Sequence, residues 1–339
     1  MRATPVVRHL LLALVLALLA GPVAVAAPTP ALAAPGADDE GGTKKLRDAL
    51  DAAARGYLDA QHRLDASTKR QAQLAAELRE VETRLGTLTA EAGVVAARSY
   101  RMGRLGPVMA LLNSGSAEDL LDRAAELELM AQRDDRSLGA LAEARIEAAR
   151  AKQAIDDEVS EQRRQVAVMA KKKQDAERAL ATVGGRSSGG FVSTSSALAK
   201  PAPRNSDGSW PSESCSVDDP TTSGCITPRT LHAYQQARAA GFTRYTSCHR
   251  NGGEGEHPKG RACDFSAAAG GFEDRSATGG DRAYGDRLAA YFIKNAGRLG
   301  VLYVIWYRQI WLPGTGWKSY SGGGSPAADH TNHVHLSMY

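Results

Sequence analysis

Beyond its first two dozen residues the chain has no apolar run long enough to cross a bilayer. A span needs about 20 such residues, so further membrane helices are excluded. No cysteine precedes Cys215, which confines disulfides and thiolate sites to the C-terminal part. Proline is missing between Pro35 and Pro107 and again from there to Lys200, while tyrosine and tryptophan gather after about Trp210. The upstream half is left with alanine, leucine, arginine, glutamate, aspartate and glutamine, the composition of a long helix and not of a packed core. An excess of one charge is also missing. The 42 basic and 38 acidic residues give +4, which falls to +2 without Arg2 and Arg8. That near balance argues against a dedicated nucleic-acid binder.

What is there begins with Arg2 and Arg8, the apolar run Leu10 to Ala20, then Gly21-Pro22 and small residues. This is the three-part layout of a secretory signal peptide over residues 1–33. Cleavage is expected after Ala26 or Ala33, leaving a secreted or envelope-associated protein. In an exported chain Cys215, Cys225, Cys248 and Cys263 are expected as disulfides. Of the three possible connectivities, Cys215 to Cys225 with Cys248 to Cys263 is favoured because each pair closes a short local loop.

Residues 40–184 read as a coiled-coil hairpin. Leu74, Leu78, Val81, Leu85 and Leu88 follow the alternating four and three spacing of a heptad seam, and Leu138, Leu141, Ile155, Val159, Val166 and Met169 follow a similar one. The two strands are expected to pack antiparallel. Between them Gly106-Pro107, Val108 to Leu112 and Asn113 to Ser116 carry too many breakers and apolar residues for a coil. Ser116 with Asp119 predicts a new helix start, so short helices are expected at the tip, exposing Met109, Leu111, Leu112, Leu120 or Leu121 unless they are covered. Residues 185–209, rich in Gly, Ser, Ala and Pro, read as a flexible linker.

Residues 210–339 are long enough for a domain with its own core. Thr227-Pro228 predicts a helix that buries Leu231, Tyr234 and Ala237 and stops at Gly241, and a second is expected from Asp281 to Gly297. Phe242 to Cys248, Arg261 to Phe265, Val301 to Tyr307 and His333 to Met338 read as strands. The expected fold class is an all-α antiparallel coiled-coil hairpin plus a small α+β domain with an antiparallel sheet.

The chemistry concentrates in His257-Pro258-Lys259-Gly260-Arg261-Ala262-Cys263-Asp264 and in His333-Val334-His335. A histidine before a glycine turn and an aspartate on the following strand can converge on one ion. Residues two apart on a strand share a face, so both imidazoles of the second segment can address it. Imidazole nitrogen and carboxylate oxygen suit a borderline cation and leave a fourth position for water. His232 and His249 read as ordinary surface or structural histidines. A structural zinc centre on Cys248, His249, His257 and Cys263 is the competing metal reading. Tyr303 and Ile305 read as core, whereas Trp311 and Trp317 are candidates for a substrate groove.

The H-x6-D spacing from His257 to Asp264, followed late in the domain by HxH, resembles the zinc peptidase group of D-alanyl-D-alanine carboxypeptidases, lysostaphin-type endopeptidases and the hedgehog signalling domain. The resemblance implies Zn²⁺ held by His257, Asp264 and His335. The glutamate usual before the last ligand is absent, which leaves His333 as the implied base, with Asp329 or His330 in its place as alternatives. Glu254-Gly255-Glu256 stands where the motif commonly has a serine. Arg250 matches an arginine set against the substrate carbonyl or carboxylate. Upstream, Tyr100-Arg101-x-Gly103, the paired leucines and Leu120-Leu121-x-Arg123 resemble the coiled-coil hairpins of envelope proteins that carry or regulate peptidoglycan hydrolases at the division site. That implies docking of the tip, Tyr100 to Arg123, on an inner-membrane division complex.

Together these readings predict an exported zinc metallopeptidase acting on peptidoglycan stem peptides, with an endopeptidase and a D,D-carboxypeptidase both open. The alternative is a non-catalytic envelope protein that binds cell wall or activates another hydrolase.

Overall fold

A computed structural model of the protein describes residues 40–191 and 195–339; the signal peptide expected over residues 1–33 lies outside the described residues. Two long helices, α1 (Lys44–Met102) and α3 (Ala117–Ala181), form an antiparallel hairpin with the short α2 (Gly106–Leu112) at its tip. Ser116 Oγ accepts from Asp119 N at 3.1 Å and Asp119 Oδ2 accepts from Gly115 N at 3.0 Å, so the predicted start of α3 is a reciprocal cap. Pairs such as Lys152 with Glu82 at 3.1 Å and Arg98 with Asp134 at 2.5 Å set the antiparallel register. None of the helices is long and apolar enough to cross a membrane among the described residues.

On α1 the expected leucine seam turns inward, with Val81 buried. On α3 the expectation is off by one position in three places, at Leu138, Val159 and Val166. Leu138 and Val166 are 47% and 54% exposed. The inward row instead runs Ser137, Leu141, Ala144, Ala148, Ala151, Ile155, Glu158, Gln162, Gln165 and Met169, an unbroken heptad in which seven of the ten residues are small or polar. Its polar members are bonded inside the hairpin: Ser67 donates to Glu158 at 2.7 Å and Gln162 to Gln71 at 2.8 Å. Hydrophobicity alone therefore misreads this face.

The C-terminal domain has a two-stranded ribbon, β1 (Val217–Asp218) with β2 (Cys225–Ile226), then α4 (Pro228–Ala239), β3 (Thr246–Ser247) and β4 (Ala262–Ser266). After these come α5 (Gly279–Lys294), α6 (Ala296–Leu299), β5 (Val301–Trp306), β6 (Gln309–Leu312), β7 (Gly316–Ser319) and β8 (His333–Met338). Six strands make one antiparallel sheet in the order β3-β4-β8-β5-β6-β7. Thr227 caps α4 as predicted, accepting from Thr230 N at 3.2 Å. The strand expected from Phe242 shortens to Thr246–Ser247, and the β6–β7 hairpin was not anticipated. Both disulfides, Cys215–Cys225 and Cys248–Cys263, follow the local pairing. They suit an extracellular protein.

Strand alternation gives this sheet two faces with different jobs. Cys263, Phe265, Val334, Leu336, Val304 and Trp306 turn to one side and pack on Leu288, Tyr291 and Phe292 of α5 and on Ala233 and Ala237 of α4. Asp264, His335, Tyr303, Ile305 and Ile310 turn to the other. The base of the hairpin covers that second face: Leu46, Leu50, Ala53 and Ala54 of α1 and Ala176 and Leu180 of α3 pack against Leu302, Tyr303, Ile305, Ile310 and Leu312.

Residues 185–209, expected as a flexible linker, are laid along the domain where they are described. Ala199 N donates to Asn295 Oδ1 and Lys200 N to Gln236 Oε1, both at 2.8 Å, and Ala199 and Ala202 are buried. Their small side chains let the backbone approach closely enough for buried Asn295 to hold it.

Truncating Leu50 and Leu180 together to alanine is expected to loosen the arm, since each truncation of a buried leucine removes about 2–5 kcal/mol. Limited proteolysis should then cut near the start of α1 while the C-terminal domain stays protected.

Candidate functional site

The site grows from the covered face of the sheet. Asp264 on β4 stands opposite His335 on β8, and the neighbouring pair is Ser266 with His333. His257 is brought in by the tight turn that ends at Gly260 (φ 68°), whose N–H returns to the His257 carbonyl at 2.9 Å. A Cβ at Gly260 would stand 2.7 Å from Ile226 Cα, so only glycine fits this turn. The Cys248–Cys263 bond ties the ends of the loop that carries His257.

Three donor atoms converge there. His335 Nδ1 lies 2.9 Å from Asp264 Oδ1, and His257 Nε2 lies 3.3 Å from both. Ligand atoms held 2.0–2.1 Å from a tetrahedral ion stand roughly 3.3–3.4 Å apart, so the spacing fits a zinc-sized cation. All three side chains are buried. The surroundings set their lone pairs. His257 Nδ1–H donates to the Cys248 carbonyl, and His335 Nε2 bonds Ser337 Oγ at 2.8 Å, so the remaining nitrogen of each ring turns inward. Arg250 donates to Asp264 Oδ2 at 3.0 Å. Burial on its own would raise Asp264, but its contacts with His257, His333 and Arg250 hold it well below the usual carboxylate range.

His333 stands beside this set with Nε2 3.4 Å from Asp264 Oδ1. Its Nδ1–H donates to Asn332 Oδ1 at 2.8 Å, which leaves Nε2 a buried acceptor with no hydrogen-bond partner among the described residues. Burial pushes its pKa down to about 4, so the ring is neutral. His330 joins the group: its ring centroid lies 4.7 Å from that of His333, its Nδ1–H donates to the Ala328 carbonyl at 3.0 Å, and its Nε2 is likewise unpartnered. Its φ of 52° is a strained value for a side chain of this size.

Two members had no signal in the sequence. Tyr303 stacks on His335 at 5.7 Å between ring centroids. Glu40, far upstream, places its carboxylate beside His257 and His335, with one ligand atom of each residue within 4.8 Å of the others.

Other sequence expectations are corrected by the fold. Trp311 and Trp317 pair across β6 and β7 on the opposite face of the sheet from His335, and Trp317 is buried against Phe191, so neither lines this site. Asp329 accepts from Arg308 Nε and Gly322 N, both at 2.9 Å, and pins its own loop; it is not positioned as a base. The thiols of the competing Cys248, His249, His257 and Cys263 centre are consumed in a disulfide. Arg250, expected against the substrate, holds Asp264.

A family model described as the VldE C-terminal domain matches residues 222–331, about a third of the chain. The matched span includes His257, Asp264 and His330 but ends before His333 and His335. No curated protein is similar enough to the chain to count as a match.

Proposed function

We propose that the C-terminal domain is a zinc-dependent peptidase that acts on peptidoglycan stem peptides in the cell envelope, positioned by its coiled-coil arm. The observation that carries this reading is the convergence of His257 Nε2, Asp264 Oδ1 and His335 Nδ1 beside the unpartnered Nε2 of His333. A zinc ion held by the three would supply Lewis-acid polarisation of the scissile carbonyl and acidify the attacking water. His333 Nε2 would accept the proton of that water, with Asn332 keeping the ring in the accepting tautomer. Arg250 acts as a positioning residue through Asp264, and Ser337 does the same for His335. The resemblance of His257-x6-Asp264 with His333-x-His335 supplies the substrate class.

The arm fits a docking role. Tyr100, Leu105, Leu112 and Leu121 at its tip are all more than 65% exposed, a surface that a partner in an inner-membrane division complex would cover. The non-catalytic reading draws on a different observation, the hairpin base lying over the site face of the sheet.

Purified cell wall should be incubated with the full chain and with the Leu50→Ala/Leu180→Ala chain, with and without chelator. New amino or carboxyl termini are expected from the loosened chain, and they should disappear with chelator. Their absence from both proteins would leave the binding role.

A further inference from the structure

We infer that Glu40 is a fourth, removable ligand of this centre, through which the start of the arm closes the position that water would take. The inference rests on the metal-centre reading and adds its regulation.

Glu40 is only 3% exposed, which is unusual for a carboxylate. Its Oε1 accepts from the main-chain N–H of Glu256 at 2.6 Å and of His257 at 3.4 Å, and its Oε2 from the Tyr303 hydroxyl at 3.2 Å. No lysine or arginine forms an ion pair with it among the described residues. A buried carboxylate without a cationic partner carries a desolvation penalty that neutral donors offset only in part. A dication among Glu40, His257 and His335 would provide the missing counter-charge.

The place is built for this side chain. Gly255 (φ 122°) lies against the carboxylate, and a Cβ there would overlap it. The Glu40 carbonyl accepts from the Tyr320 hydroxyl at 2.7 Å. Arg47 of α1 donates to the Gly41 and Gly42 carbonyls at 3.2 and 2.9 Å, and Arg55 pairs with Glu256 at 3.2 Å. Movement of α1 away from the sheet would therefore draw Glu40 out with it. A cavity of about 220 Å³ between α1 and the Gly253–Lys259 turn borders the carboxylate and gives it somewhere to move.

The test uses the full chain loaded with Co²⁺, whose visible absorption reports added ligands, titrated with azide. Glu40→Gln and the Leu50→Ala/Leu180→Ala chain should each bind one Co²⁺ and take up azide at least tenfold more tightly than the unaltered chain. The second variant keeps Glu40 and so answers for any misfolding of the first. Stoichiometric Co²⁺ with equal azide affinity in all three overturns the gate and leaves the metal centre standing. Loss of peptide cleavage in Glu40→Gln with unchanged azide affinity makes Glu40 a base and overturns the gate as well. Failure of the unaltered chain to bind Co²⁺ overturns both readings.

Discussion

Replacing Asp264 with alanine is expected to lower zinc affinity by on the order of a hundredfold or more, and to abolish cleavage. Asp264 is the point on which the group converges: Oδ1 faces His335, His257 and His333, and Oδ2 receives Arg250. It also pairs with Arg250, whose side chain is mostly buried. Alanine removes the carboxylate from this buried pair and adds destabilisation of about 3–5 kcal/mol, the cost of breaking such a pair. An asparagine at this position would keep the volume and an oxygen but lose the charge, so Asp264→Asn separates the two effects. That variant should remain folded by circular dichroism yet bind little zinc by mass spectrometry of the dialysed protein. Full zinc retention in Asp264→Asn would remove this residue from the ligand set.

Cys248→Ser with Cys263→Ser is expected to have the second largest effect. The bond spans 15 residues, and releasing a loop of that length costs about 3 kcal/mol in the chain-entropy account. The loop it closes carries Arg250, Glu256, His257 and Gly260. The Cys248 carbonyl also fixes the His257 tautomer. Zinc affinity should therefore fall together with the unfolding temperature, without being abolished, because neither sulfur is a ligand. The Cys215 and Cys225 pair closes a loop of 10 residues on the far side of Gly260 and touches none of the three donor groups. Its double serine variant should lose stability and keep zinc affinity. Equal loss of zinc affinity in both double variants would mean that the first disulfide does not organise the site.

Much of this architecture was legible because it is local. The Ser116 and Asp119 cap, the Thr227-Pro228 start and both short disulfide loops depend on residues within 15 positions of one another. His333 and His335 could be assigned to one face because strand alternation has a period of two whatever the strand pairs with. His257 and Asp264 could be joined to them through spacing and resemblance. The α3 seam was less legible, since Ala144, Ala148, Gln162 and Gln165 carry the heptad without hydrophobicity, and their burial comes from what α1 places opposite them.

By itself the sequence determined the helical halves of the hairpin, the helix starts and the candidate donors, and favoured the disulfide pairs, all from chain-local pattern. Only the tertiary structure decided which face of the sheet each strand presents to what. Pairing of β5 with β8 and β6 puts Tyr303 and Ile305 on the His335 side and sends Trp311 and Trp317 to the other. Packing of the hairpin base over that first side brings Glu40 to His257 across 217 positions of chain. No spacing rule reaches so far, because the contact exists only once two elements distant in sequence bury a shared apolar surface.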